Sequence, residues 1–168
     1  MSETVETIPV KSYDELEGYF LGKNFAFIHI ASYSVNPLLL KHFLSLVANN
    51  PQVQIIIRGK DNENNIRALS QLDMKNVEIR VIEGQHNKLI ITDSFCIFGS
   101  ANFTYTGLHG IGNTENMTVI PKGHPQYKNF INQFNKLWSS ATPLMKYIEA
   151  MNSEQSEKKI IAELLTML

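Results

Sequence analysis

The chain has 168 residues, 43% of them hydrophobic and 18% charged, and its formal net charge is −1. That length suits one domain with a sizeable core, and the charge excludes a uniformly basic nucleic-acid coat. The single cysteine, Cys96, excludes a disulfide framework and a cysteine-rich zinc site.

No apolar run approaches the ~18 residues that a membrane-spanning helix needs. The opening segment MSETVETIPV lacks the basic and apolar regions of a signal peptide. A soluble, cytoplasmic protein with no membrane partner is therefore expected.

Ser12 is placed to cap a helix from Tyr13 to about Leu21, whose first turns carry Asp14, Glu15 and Glu17. Asn24–Ile30 (NFAFIHI) is aromatic and branched and predicts a buried strand. Asn36-Pro37 starts a helix over PLLLKHFLSLVANN that Asn49-Asn50-Pro51 ends. Val53–Ile57 predicts a second strand closed by Arg58-Gly59, Asn62–Leu72 a helix, and Val77–Ile82 a third strand. A β-α-β-α-β series with short connections implies an α/β fold, with a mixed, mostly parallel sheet flanked by helices on both faces.

Lys88–Thr92 and Phe95–Phe98, joined only by Asp93-Ser94, read as a hairpin. Met117–Ile120 is a further strand. Pro125–Ser139 is a helix whose Tyr127, Phe130, Ile131, Phe134, Leu137 and Trp138 form a core-facing stripe. Asn152-Ser153 predicts a break that separates a domain over 1–150 from a helical tail over 151–168. Ile160, Ile161, Leu164, Leu165 and Leu168 give that tail an apolar face, to dock on its own domain or meet a protein partner.

The residues that suggest chemistry lie between His86 and Asn116. His86 and Lys88 are two apart, so on a strand they share a side, and Ser100 and Asn102 do likewise. Gly99 admits close approach of a ligand or another backbone. If the two faces coincide, the patch can engage a phosphate. Lys88 supplies charge, Ser100 and Asn102 supply hydrogen bonds, and His86 acts as nucleophile or acid/base. Taken singly, each residue reads as structural. His29 and His42 are expected to be packed or superficial, and Tyr105 and His109 to be exposed loop residues, with a place lining the groove as their alternative.

Together, His86-Asn87-Lys88, Asp93 and Gly99-Ser100-Ala101-Asn102 resemble the HKD motif of the phospholipase D superfamily, HxKxxxxD followed by GSxN. Asn113-Thr114-Glu115-Asn116 resembles the downstream Asn-x-Glu-Asn of the small bacterial endonucleases of that superfamily. Ser32-Tyr33-Ser34, Arg58-Gly59 and the QFNKLW helix extend the likeness over about residues 22–140. One departure is visible: five residues, not six, separate Asp93 from Gly99. A tight Asp93-Ser94 turn would absorb the difference, whereas a register slip would turn side chains to the wrong face.

The resemblance implies a phospholipase D-like single domain and a metal-independent phosphodiesterase without cofactor. It implies an endonuclease acting on DNA or RNA, with one HKD motif from each subunit of a homodimer. His86 would be nucleophile in one copy and general acid in the other. Lys88, Ser100 and Asn102 would hold the phosphate oxygens, and Glu115 would orient His86. Asp93 and Gly99 would be structural. Arg58, Lys60 and Lys122, joined by Lys128, are candidates for a basic rim along the substrate. The alternatives are a partner-dependent or weakly active nuclease-like binding module, and a phospholipase or phosphatidyl transferase, which would need an apolar mouth beside the site.

Overall fold

Alternation along the branched strands assigns every core side chain to one of two faces. The computed structural model describes residues 7–168; residues 1–6, part of the segment read as lacking a signal peptide, lie outside them. The elements are β1 (Ile8–Val10), α1 (Tyr13–Gly18), β2 (Phe27–Ser32), α2 (Pro37–Leu46), β3 (Gln52–Arg58), α3 (Glu63–Ser70) and β4 (Val77–Ile82). Then come β5 (Leu89–Thr92), β6 (Phe95–Gly99), α4 (Tyr105–His109), β7 (Met117–Pro121), α5 (Pro125–Ser140), β8 (Thr142–Pro143) and α6 (Leu144–Thr166). All eight strands form one sheet in the order β1-β7-β6-β5-β2-β3-β4-β8.

The apolar runs of β2 and β3 sit at the centre, buried on both faces. Ile28, Ile30, Ile55 and Ile57 pack under Leu16, Phe20, Leu39, Leu40, Phe43, Ile66, Leu69 and Ile148, from α1 and the turn after it, α2, α3 and α6. Ala31, Ile56, Leu89, Ile91, Cys96 and Ile120 meet α5 on the opposite face through the predicted stripe, led by Tyr127 and Phe134. The helix starts follow the capping residues. The Ser12 side chain accepts from the Glu15 N–H at 3.1 Å, and Asn36 accepts from the Leu39 N–H at 3.0 Å ahead of Pro37.

Several sequence-based expectations need correction. Among the described residues only β2-β3 and β3-β4 pair as parallel strands, so the sheet is mixed but less parallel than anticipated; hairpins and short edge strands add antiparallel partners. Helices α1 and α2 end at Gly18 and Leu46, short of the predicted limits. Strands β1 and β8 and helix α4 were not expected. Nor does the chain break at Asn152-Ser153, since α6 runs through it. Arg67 of α3 donates to the Asn152 Oδ1 at 2.9 Å, and Glu154 pairs with Lys158 one turn on at 2.7 Å. No helix among the described residues is long and apolar enough to cross a membrane.

The topology gathers chain ends on one edge of the sheet. Strands β2, β3 and β4 finish there at Ser32, Arg58 and Ile82, and β6 finishes there at Gly99. The antiparallel β5 and β7 start there at Leu89 and Met117, and β1 ends beside them at Val10. Loops that follow the carboxyl ends of parallel strands are where α/β sheets place ligands.

Two histidines are structural, as expected. His42 makes a 3.1 Å contact with Glu17 at the surface. His29 is sandwiched between Phe27 and Phe134, with ring centroids 4.4 and 4.5 Å away, and its Nδ1 is buried without a partner. Burial pushes the His29 pKa down from 6.5 to about 4. Between those values the unfolded chain takes up a proton that the folded chain refuses, so stability should fall as pH drops from about 6.5 to about 4. Urea midpoints across that window should show the slope, and His29→Phe should flatten it; an unchanged slope in the variant would contradict the assignment.

Candidate active site

The site depends on how β5 and β6 pair. The Thr92 hydroxyl oxygen accepts from the N–H groups of Ser94 and Phe95, each at 3.1 Å, and closes a two-residue turn at Asp93-Ser94. The register is Leu89↔Phe98, Ile90↔Ile97 and Ile91↔Cys96, and the Gly99 N–H donates to the Lys88 carbonyl at 3.2 Å. The tight turn thus absorbs the missing residue of the motif. It brings Lys88 and Gly99 side by side on the edge where the other strand ends collect. Asp93 stays at the far end of the hairpin, where its Oδ2 accepts from the Ala26 N–H at 3.2 Å, a structural clamp.

Gly99 lets two backbones meet, because a Cβ there would collide with the Asn116 carbonyl. The Ser100 N–H donates to that carbonyl at 2.9 Å, and the Asn116 N–H donates to the Ser100 hydroxyl oxygen at 2.9 Å. The hydroxyl proton has only a 3.5 Å contact with the Asn116 carbonyl, so it is free to serve a ligand.

Asn102 is oriented from behind. Its Oδ1 accepts from the Tyr33 N–H at 3.1 Å, which leaves the amide NH₂ as the outward donor. The Ser32 hydroxyl, 1% exposed, donates to the Ser34 carbonyl at 2.6 Å, accepts from the Phe103 N–H at 2.9 Å and lies 3.4 Å from the same Oδ1. Behind them, Gly107 packs α4 so tightly on Asn102 that a Cβ would strike the Asn102 carbonyl.

His86 precedes β5 in an irregular segment and is exposed. That segment is shaped by buried Gln85, whose amide donates to the Asn87 carbonyl at 2.6 Å and accepts from the Asn87 N–H at 3.1 Å. Half-buried Lys88 donates to the His86 carbonyl at 2.9 Å. Burial lowers the Lys88 pKa, and the negative charge of Glu115 opposes that shift. Glu115 sits in the loop before β7, fixed by the bonds Glu115 N–H to Gly110 carbonyl at 3.1 Å and Gly112 N–H to Glu115 carbonyl at 3.0 Å. Its charge acts on Lys88; among the described residues it makes no hydrogen bond to His86.

Arg58 and Lys60 reach the same edge. The Arg58 guanidinium lies 5.1 Å from the Tyr33 ring centroid, and its Nε donates to the Lys60 carbonyl at 3.2 Å. Buried Asn62 ties the two loops together by donating to the carbonyls of Tyr33 at 2.8 Å and Arg58 at 2.9 Å. Lys122 is not part of this group. Its N–H bonds the Ser94 carbonyl at 2.9 Å, which puts it past the end of β7 on the opposite edge, beside the hairpin turn.

The edge therefore presents an imidazole, an ammonium, a hydroxyl, an amide and a carboxylate, with Arg58 and Lys60 nearby. Such a set can bind a phosphate diester and stabilise charge on its oxygens. Sequence inspection did not single out Gln85 or Asn62 as parts of this site, nor Gly107. Each acts only through a bond or packing contact with a backbone that the fold brings to it. Ser32→Ala should strand the Phe103 N–H in a buried position and cost about 1–3 kcal/mol of stability. Urea unfolding measures this, and a loss below about 0.5 kcal/mol would contradict the network, being no more than an ordinary surface substitution produces.

A protein-family profile described as "Cardiolipin synthase, PLD-like domain" matches residues 23–138. Among solved structures, Nuc from Salmonella typhimurium, a phospholipase D family member, is similar at 18% identity and a TM-score of 0.59, over 82% of this chain and 95% of that one. NucT from Helicobacter pylori is similar at 20% identity and a TM-score of 0.55, over 70% and 81%. The archaeal chromatin protein TrmBL2, whose structure shows a mode of DNA binding, matches at 16% identity and a TM-score of 0.56, over 84% and 55%. No curated protein matches the sequence. With the profile spanning most of the chain, this chain belongs to the phospholipase D-like family.

Proposed function

We propose that the protein is a metal-independent phosphodiesterase that cleaves nucleic acid, DNA or RNA, through a phosphohistidine at a site completed by a second copy of the chain. The observation that carries this reading is the fixed Asn102 amide, NH₂ outward, on the same edge as exposed His86 and half-buried Lys88. In the first step an imidazole nitrogen of His86 attacks phosphorus, and the bond to the leaving oxygen breaks. The second copy's His86, protonated, gives that oxygen its proton. In the second step the now neutral imidazole takes a proton from water, the hydroxyl attacks phosphorus, and the P–N bond breaks. Lys88 and Asn102 of both copies hold the non-bridging oxygens as charge builds.

One chain supplies one such imidazole, whereas the reaction uses a nucleophile and an acid together. A two-fold axis through this edge provides both. The lipid-acting alternative needs an apolar mouth. Two apolar grooves lie at the other end of the sheet, lined by Leu69, Leu72, Met74, Leu144 and Met145, and by Leu44, Pro51 and Val53, and a third runs along β1, lined by Ile8, Pro9 and Tyr19. Near the candidate site the concavity is mostly polar, lined by Lys11, Ser12, Asp14 and Asn113 together with Tyr13 and His109. The end of α6 beyond Met151 is exposed with its leucines and isoleucines uncovered, which supports a protein partner there as an additional contact.

Plasmid DNA and single-stranded RNA incubated in EDTA should be cleaved by the wild type and not by His86→Ala. Cleavage that persists in the variant, or none by either protein, would overturn the proposal. Lys60→Glu should weaken DNA binding and reduce its salt slope by about one to two charges' worth, while Lys122→Glu on the far edge should leave both unchanged. Equal effects of the two reversals would contradict the proposed path of the substrate.

A further inference from the structure

Three aromatic rings form a ladder along the same edge, outside the phosphate-binding group. Tyr13, the first residue of α1, packs in a tilted arrangement against His109, the last residue of α4, with centroids 4.3 Å apart and planes 32° apart. Tyr105, the first residue of α4, follows at 6.0 Å from His109 and 22°. The inner rung is half-buried. The outer rung, Tyr105, is 45% exposed, among the most exposed aromatic side chains of the molecule.

This ladder is fixed to the candidate site. Tyr105 is three residues past Asn102, the Thr104 N–H donates to the Asn102 carbonyl at 2.8 Å, and Gly107 lets α4 lie directly on the Asn102 backbone. The Thr104 hydroxyl oxygen caps the short helix by accepting from the Gly107 N–H at 3.1 Å. Tyr105 is therefore an apolar ring, held rigid from behind, at a set distance from the amide proposed to bind the scissile phosphate. Holding α4 against α1 needs only Tyr13 and His109; it does not require a third ring facing water.

We infer that Tyr105 is a stacking platform for an unpaired base of the nucleotide next to the bound phosphate, so that the site takes single-stranded nucleic acid in preference to duplex. An aromatic face accepts any base, and a base can lie on it only when it has left its own helix. The inference rests on the reading of this edge as a nucleic-acid phosphodiesterase site and specifies the polymer that it takes.

The test is binding, measured by fluorescence anisotropy of a fluorescein-labelled single-stranded thymidine oligonucleotide and of a labelled duplex. It uses the full chain carrying His86→Ala, so that neither probe is consumed. Adding Tyr105→Ala should weaken single-strand binding about ten-fold or more, with a much smaller effect on the duplex. Tyr105→Phe, which keeps the ring, should bind within about two-fold of its parent. Unchanged single-strand binding in Tyr105→Ala, equal losses on both probes, or no binding of the single strand by the parent would overturn the inference. Cleavage assays with His86 intact separate the two claims. Loss of stacking-dependent binding with normal cleavage leaves the nuclease reading standing, and Tyr105-dependent binding without cleavage leaves only the platform.

Discussion

Everything chemical in this protein depends on the register of one hairpin. Asp93-Ser94 is the shortest connection that lets β5 and β6 pair, and the Thr92 hydroxyl closes it. From that turn the pairing runs without a bulge to Lys88 and Gly99. A slip by one residue would exchange inside and outside along both strands. It would turn Ile90 and Ile97 out of the main core and remove Ser100 from Asn116. The core on the two faces of the sheet thus protects the alignment of the polar edge. A family motif one residue short remains compatible with an assembled site for that reason.

The second constraint is that the polar edge is built from backbone as much as from side chains. Tyr33 orients Asn102 through its N–H, Asn116 meets Ser100 through both its N–H and its carbonyl, and Asn62 joins the loops after β2 and β3 through their carbonyls. Such bonds fix the groups before a ligand arrives, which is what makes donors effective against developing charge. Gly99 and Gly107 have the complementary task of leaving space, each where another residue's backbone passes too close for a Cβ.

Much of this was legible in the chain. The branched runs of β3 and β4, the caps at Ser12 and Asn36 and the stripe of α5 are local patterns, and they appear in the fold where they were expected; the strand expected over Asn24–Ile30 forms later in the chain, as Phe27–Ser32. The spacing of His86, Lys88, Gly99, Ser100 and Asn102 was legible because these residues flank two adjacent paired strands. Less legible were features that depend on distant partners. Strand β1 is three residues long and becomes a strand only by pairing with β7. Asn152-Ser153 carries ordinary turn residues, but α6 is anchored before it by buried Ile148, Arg67 satisfies the asparagine, and the helix runs on. Lys122 looked like a neighbour of Arg58 because charge alone does not say on which edge a strand ends. Only the direction of β7 separates them.

Membership of the phospholipase D-like family sets the scaffold and leaves the substrate open, since the family profile itself carries the name of a lipid enzyme. What favours nucleic acid is the surrounding of the edge: a polar concavity, Arg58 stacked on Tyr33, and the exposed rung at Tyr105. The central claim is covalent chemistry at His86. Quenching a reaction with oligonucleotide substrate in denaturant and mapping the peptides by mass spectrometry tests it most directly. The account predicts a nucleotidyl or phosphoryl adduct on the peptide that contains His86. Cleavage with no adduct, or with an adduct on another residue, would contradict it.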